Sequence, residues 1–92
     1  MRGLEGRIAV VTGGARGLGN AAVTRLAEEG VKIAILDLLE DEAAALAKEV
    51  GGVSFRCDTT DEAQLAAAMK GVQAAFGGLD ILVNNAGIIA PR

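Results

Sequence analysis

The stretch that decides the fold is Thr12-Gly13-Gly14-Ala15-Arg16-Gly17-Leu18-Gly19. It follows a short β-branched run, residues 7–12, that is typical of a buried strand. The glycines at 13, 17 and 19 permit a sharp turn and a close backbone approach to a ligand. A helix that begins here presents N–H groups and a positive dipole end, which suit a pyrophosphate. A tight turn with no ligand is the alternative, and a P-loop is excluded because no Gly-Lys-Ser/Thr follows.

Outward from this stretch, short apolar strands alternate with amphipathic helices. The further strands are predicted at residues 31–37, 53–57 and 79–83. The helices are predicted at about 18–29, at 40–50 and from Thr59 to the Gly77-Gly78 pair, with Thr59 and Glu62 at the spacing of a capping box. This β-α-β-α-β-α-β order predicts an α/β protein with a parallel sheet and helices on both faces. Right-handed crossovers place the first two helices on one face and the third on the other.

An acidic residue stands at the end of the second strand. Asp37 lies 18 positions after Gly19. This is close to the spacing of about 20 residues at which a carboxylate accepts hydrogen bonds from a ribose in dinucleotide-binding folds. A solvated acid at the start of a loop is the alternative. Together with the glycine turn, the spacing favours the ribose role.

The composition excludes several kinds of chemistry. The chain has no His and no Tyr, and Ser54 is its one serine. A Ser-His-Asp triad, a histidine base and a histidine-bearing metal site are therefore excluded, and no metal is expected. The single cysteine, Cys57, cannot form an internal disulfide and is read as a small core side chain. A net charge of −3, with no basic patch, gives no indication of nucleic acid.

Further motifs make the resemblance specific. Thr12-Gly13-x-x-x-Gly17-x-Gly19, Asp37, Asp58 after the third strand, and Asn84-Asn85-Ala86-Gly87 after the fourth resemble the short-chain dehydrogenase/reductase family. The correspondence covers essentially the whole chain. It implies a partial Rossmann fold with a four-stranded parallel sheet in the order 3-2-1-4.

The resemblance also implies a role for each matching residue. Those expected to line the pyrophosphate are Gly13, Arg16, Gly17, Leu18 and Gly19. Asp37 would hold the adenosine ribose, and Asp58 and Thr59 would flank the adenine. Asn85, Ala86 and Gly87 would close the cofactor edge, while Asn84 would help to tie the central strands together. The alternatives are that Asp58 only caps the third helix and that the asparagines only satisfy loop backbone.

Two residues give opposite indications about the cofactor. Arg16, just before the second glycine of the turn, resembles members of the family that prefer NADP. Asp37 resembles those that prefer NAD. A carboxylate at the ribose 2′ position should repel a phosphate more than a mobile arginine attracts it. NAD(H) is therefore the expected cofactor, and NADP is the less favoured one.

The family pattern breaks where catalysis should begin. The family uses a Ser and a Tyr-x-x-x-Lys downstream of the Asn-Asn-Ala-Gly turn, and neither is present in these 92 residues. Residues 1–92 are therefore interpreted as one truncated NAD(P)-binding domain, the N-terminal half of such an enzyme, with no catalysis of its own. The alternatives are a structural fragment that does not bind cofactor, part of a split enzyme completed by another chain, and a nucleoside-binding Rossmann domain of another class.

Partners and location follow from the same features. An apolar fourth strand at the edge of the sheet predicts self-association through that strand or through the face of the third helix. The longest strongly apolar run, residues 33–36, is far too short to span a membrane, and the first six residues lack the apolar segment of a signal peptide. The expected location is the cytoplasm.

Overall fold

The computed structural model describes residues 3–84, which form four strands and three helices. The strands are β1 (Ile8–Thr12), β2 (Lys32–Asp37), β3 (Val53–Arg56) and β4 (Ile81–Asn84). The helices are α1 (Gly17–Glu28), α2 (Glu40–Val50) and α3 (Glu62–Phe76). Strands and helices alternate without exception, so the predicted element order is confirmed.

The four strands form one parallel sheet in the order β3-β2-β1-β4. This confirms the predicted Rossmann-like arrangement. The chain moves outward from β1 to β3 and then crosses back to place β4 on the other side of β1. The crevice above the carboxyl ends of β1 and its two neighbours is where open α/β sheets bind their ligands.

Each face of the sheet carries its own apolar core. Val11 of β1 and Ile33 of β2 pack with Val23 of α1 and Leu46 of α2. Val10, the neighbour of Val11, lies in the other cluster, which α3 covers. Because successive side chains of a strand point to opposite faces, one short β-branched run supplies both cores. The predicted division of the helices between the faces is thus confirmed.

The helix ends use two kinds of cap. Gly30, Gly51 and Gly77, with φ of 83°, 70° and 83°, follow the ends of α1, α2 and α3 in the left-handed region that favours glycine. The capping box predicted between Thr59 and Glu62 is wrong. The N-cap of α3 is Asp61, whose carboxylate accepts hydrogen bonds from the Ala63 and Gln64 amides.

The fourth strand is shorter than predicted and is fastened at its start by an acid. Pairing with β1 begins at Ala9 and Ile81, so Leu79 and Asp80 precede the strand. Asp80 lies immediately before β4. Its carboxylate accepts a hydrogen bond from the Ile8 amide at 2.9 Å and lies 3.5 Å from the Arg7 guanidinium. It therefore joins the starting ends of β1 and β4.

One face of β4 is left largely uncovered by the described residues. Ile81 and Val83 pack against the α1–α2 core, whereas Leu82 points to the α3 side and stays 52% exposed. No helix within residues 3–84 is long and apolar enough to cross a membrane.

Candidate functional site

The glycine turn joins β1 to α1 and leaves no room for a side chain at Gly19. Gly13 and Gly17 have φ of 64° and 58°, in the left-handed region. A Cβ at Gly19 would lie 2.1 Å from the Gly13 carbonyl oxygen, so the first turn of α1 packs directly on the loop. At Gly17 an added Cβ would meet nothing within 4 Å. The turn is therefore tight on its inner side and open on its outer side.

The start of α1 is suited to an anion. Arg16 occupies the N-cap position, no described side chain caps the helix, and the first turn holds no acidic residue. The first N–H groups of a helix carry partial positive charge and lack partners within the helix. Leu18, in this same turn, is 79% exposed. The outer surface thus combines backbone donors with an apolar side chain that a ligand would cover.

Ala15 holds the loop in place through both of its backbone groups. Its N–H donates to Asp37 Oδ2 at 3.0 Å, and its carbonyl oxygen accepts from Asn20 Nδ2 at 3.2 Å. The glycine turn is thereby anchored to the end of β2 and to α1. Sequence reasoning did not identify Ala15 or Asn20. The Ala15–Asp37 contact joins residues 22 positions apart, and the Asn20 amide bonds to a backbone carbonyl, so neither contact leaves a pattern in the sequence.

Asp37 lies half-buried at the carboxyl end of β2. Its Oδ1 accepts the Leu39 N–H at 2.9 Å, while Oδ2 accepts from Ala15. A carboxylate has about four lone-pair directions, so two remain for further donors such as ribose hydroxyls. The acid therefore orients the loop and remains able to accept hydrogen bonds from a ligand.

Arg16 forms an ion pair with a residue that the sequence analysis did not single out. Its Nε and Nη2 both lie 2.9 Å from Glu42 Oε1 in the first turn of α2. The hydrogen bond and the negative charge of Glu42 raise the pKa of Arg16, and Asp37 adds a smaller effect in the same direction. The guanidinium is thus held against the first turn of α2 by Glu42.

A crevice of about 190 Å³ opens beside Asp37 at the carboxyl ends of β1, β2 and β3. Its lining consists of Gly13, Leu36, Asp37, Leu38, Cys57, Asp58, Thr59 and Thr60. Cys57 is buried, and desolvation raises the pKa of its thiol, as expected for an inert core cysteine.

Asp58 is fixed at the mouth of this crevice. One oxygen, Oδ1, accepts from the Thr60 N–H at 2.9 Å and from the Thr60 hydroxyl at 2.6 Å. These hydrogen bonds lower the pKa of Asp58. The Asp58 amide in turn donates to Gln64 Oε1 of α3 at 2.9 Å. The cap of α3 is therefore supplied by Asp61 rather than by Asp58, and Asp58 Oδ2 accepts no hydrogen bond from residues 3–84.

The predicted site residues fall into two adjoining groups. Gly13, Asp37, Asp58 and Thr59 line the crevice. Arg16, Gly17, Leu18 and Gly19 form the turn and the start of α1 beside it. Asn85, Ala86 and Gly87 lie outside the described residues.

Asn84 closes the β1–β4 side of the same edge. The Thr12 hydroxyl lies 3.0 Å from Asn84 Oδ1 and 3.3 Å from the Val83 carbonyl oxygen. Thr12 is buried at the carboxyl end of β1, so this contact connects the two central strands where the crevice begins. The arrangement agrees with the tie expected from the resemblance.

The family is established by comparison with known proteins. The family model described as short chain dehydrogenase matches residues 7–92, and the chain belongs to this family. It is 44% identical over 90 residues to D-threitol dehydrogenase of Mycolicibacterium smegmatis, covering 92% of this chain and 35% of that protein. It is 46% identical over 93 residues to the 2,5-dichloro-2,5-cyclohexadiene-1,4-diol dehydrogenase LinX of Sphingobium indicum, covering 96% and 37%. The chain spans about a third of the length of these relatives.

Solved structures agree with this fold. A 3-ketoacyl-(acyl-carrier-protein) reductase from Brucella melitensis, complexed with NADH, superposes with a TM-score of 0.83 at 33% identity. The match covers 86% of this chain and 33% of the reductase. A short chain dehydrogenase from Bacillus anthracis superposes equally well, with a TM-score of 0.83, at 23% identity over 89% of this chain and 35% of that one. The latter likeness supports the fold alone.

Proposed function

We propose that this chain is the NAD(H)-binding part of a short-chain dehydrogenase/reductase. The observation that carries the proposal is the glycine turn at the start of α1, locked by Asp37 beside a crevice that Asp37 and Asp58 line. The tight inner side of the turn and its open outer side fit a dinucleotide. The NADH complex of the Brucella melitensis reductase supports the assignment by analogy.

Each matching residue takes one part of the cofactor in this proposal. Gly13, Arg16, Gly17, Leu18 and Gly19 line the pyrophosphate, which the backbone N–H groups of the turn bind. Asp37 accepts from the adenosine ribose, and Asp58 and Thr59 flank the adenine. Asn85, Ala86 and Gly87 close the cofactor edge. When bound, NAD(H) supplies the hydride acceptor or donor, while this chain's residues bind and orient it.

NAD(H) is proposed over NADP(H). Asp37 is fixed by two backbone N–H groups at the end of β2 and cannot easily turn away from a phosphate on the ribose. Like charges in contact repel strongly wherever water is partly excluded. We expect NADH to bind more tightly than NADPH.

Residues 1–92 are proposed to form a single domain with no hydride transfer of its own. They contain no Tyr, and the one serine, Ser54, lies in β3 away from the glycine turn. Catalysis would need groups that this sequence does not contain. We further propose that the protein acts in the cytoplasm and that copies associate through β4 or the α3 face, since Leu82 is an exposed apolar residue on an edge strand.

The test of cofactor binding is a titration followed by NADH fluorescence, which benefits from the absence of Trp and Tyr. We expect saturable binding. Gly19→Ala should weaken it at least about fivefold, because overpacking of this kind costs about 1–3 kcal/mol.

The matched control is Gly78→Ala. A Cβ at Gly78 would have its nearest neighbour at 3.9 Å, and its φ is not positive, so binding should be unchanged. Far-UV circular dichroism checks that both variants are folded. A folded wild-type protein that binds neither NADH nor NAD would instead support the purely structural alternative.

A further inference from the structure

Arg16 offers one edge of its guanidinium to Glu42. Its Nε and Nη2 converge on a single carboxylate oxygen, each at 2.9 Å. Two N–H groups along one edge are also what an arginine uses to bind a phosphate in a bidentate manner. The ion pair with Glu42 therefore occupies one of the two edges through which Arg16 could bind a phosphate, and it holds the guanidinium against α2.

The charge around the adenosine end of the turn is also unfavourable to an additional anion. Arg16 interacts electrostatically with Glu42 and with Asp37. The turn thus has two carboxylates nearby for one guanidinium, which leaves this corner with a net charge of about −1 at neutral pH. A ribose phosphate carries about −1.5 to −2 charges, so it would meet net repulsion despite the arginine.

We propose that Glu42 is a positioning residue for cofactor selectivity, because it holds Arg16 on α2 and so keeps that side chain from binding a 2′-phosphate. This inference rests on the proposed dinucleotide site. It assigns selectivity to a pair, Asp37 and Glu42, rather than to Asp37 alone. Glu42 contacts no part of the cofactor in this scheme and acts only through Arg16.

The test compares dissociation constants for NADH and NADPH at one low ionic strength. Glu42→Gln should lower the ratio of the NADPH constant to the NADH constant by about three- to fivefold, the upper part of the range that an exposed ion pair can account for. The NADH constant itself should change by less than about twofold, because that cofactor lacks the 2′-phosphate.

Glu40→Gln is the matched control. It removes the same charge from the same first turn of α2, and the structure gives Glu40 no ion pair within residues 3–84. It should leave the ratio within about twofold, since an unpaired surface charge is screened by salt. Melting temperatures show that both variants are folded at the assay temperature, so that a difference in the ratio does not reflect unfolding.

A double-mutant cycle separates pairing from simple charge. In an Arg16→Gln background, Glu42→Gln should no longer change the ratio. The inference is overturned if Glu42→Gln and Glu40→Gln shift the ratio equally, or if the shift persists without Arg16. Those outcomes leave NADH binding intact, whereas a failure of the wild-type protein to bind either cofactor overturns the proposed function and this inference with it.

Discussion

The acids of the site are held by the same local device. Asp37 accepts the N–H of Leu39, and Asp58 accepts the N–H of Thr60, in each case two residues further along the chain. This Asx turn is a usual way for a chain to leave a strand. Each carboxylate is thereby fixed at the sheet edge before any ligand arrives. Spacing from the glycine turn identified Asp37 and the family resemblance identified Asp58, whereas the partners of Asp37 across the fold were not visible in the sequence.

The hydrogen bonds from Thr60 lead to a prediction about pH. Because they lower the pKa of Asp58 in the folded protein, they stabilise the fold above the ordinary aspartate pKa of about 3.9. That contribution is lost as the pH falls through the lowered pKa. Thr60→Val removes the hydroxyl and keeps the N–H, so we expect the Asp58 pKa to rise towards its ordinary value. Carboxyl NMR titration measures this directly.

A stability comparison provides the control for Thr60→Val. The difference in unfolding free energy between wild type and the variant should be constant from about pH 5 to pH 7 and should shrink in more acidic solution. Thr59→Val, one residue earlier, should not move the Asp58 pKa. An unchanged Asp58 pKa in Thr60→Val would show that the hydroxyl contact is not populated in solution.

Among the elements, α3 shows most clearly what sequence patterns resolve and what they do not. Thr59 and Glu62 have the spacing of a capping box, but the Asx turn at Asp58 carries the chain past Thr59 before the helix begins. Asp61 then takes the cap and accepts from the Ala63 amide at 2.9 Å and the Gln64 amide at 3.1 Å. Thr59 and Asp61 are both residue types that can cap α3, and Asp61, which is adjacent to the first helical residue, occupies the N-cap position.

The assignment of Asp61 as the N-cap of α3 can be tested by comparing substitutions at Asp61 and Thr59. Asp61→Ala should lower the free energy of unfolding by about 0.5–2 kcal/mol, because it leaves amides in the first turn of α3 without partners. Thr59→Ala should change it by less than about 0.5 kcal/mol. Urea denaturation followed by circular dichroism measures both. A larger loss for Thr59→Ala than for Asp61→Ala would restore the capping-box interpretation.

Element order and faces followed from the sequence, while the contacts between elements did not. A short continuous β-branched run assigned Val10 and Val11 to a buried strand, because such a run is a property of neighbouring residues. The ion pair of Arg16 with Glu42 joins residues 26 positions apart on different helices. Such a contact depends on how α1 and α2 pack, and no short pattern encodes that. For the same reason Asp80 was not recognised as the link between the starts of β1 and β4.

At the scale of the whole molecule, the helices bury some strands of the sheet more completely than others. Helix α3 covers Val10 of β1 completely but leaves its register partner on β4, Leu82, half exposed. An edge strand with an exposed apolar side chain is a site where other chains add or pack. We therefore expect Leu82 to lie at the centre of the proposed self-association surface.

Substitution of Leu82 tests this surface. Leu82→Lys should lower the association constant at least about tenfold, since a buried anchor residue commonly contributes more than 1 kcal/mol to an interface. Leu39→Lys, at another exposed leucine, serves as the control. Light scattering over a range of concentrations gives the mass. A wild-type protein that stays monomeric at high concentration would contradict the proposal.

The sheet order has a consequence for the time course of synthesis. β1 leaves the ribosome first, yet it is bordered by β2, with partners 24 positions away, and by β4, with partners 72 positions away. Closing the longer loop costs about 1 kcal/mol more. The glycine turn, Asp37 and the adenosine side of the crevice can therefore assemble on the nascent chain while β4 is still inside the exit tunnel. The part of the site that is proposed to bind the adenosine would exist before the strand that borders its other half has been made.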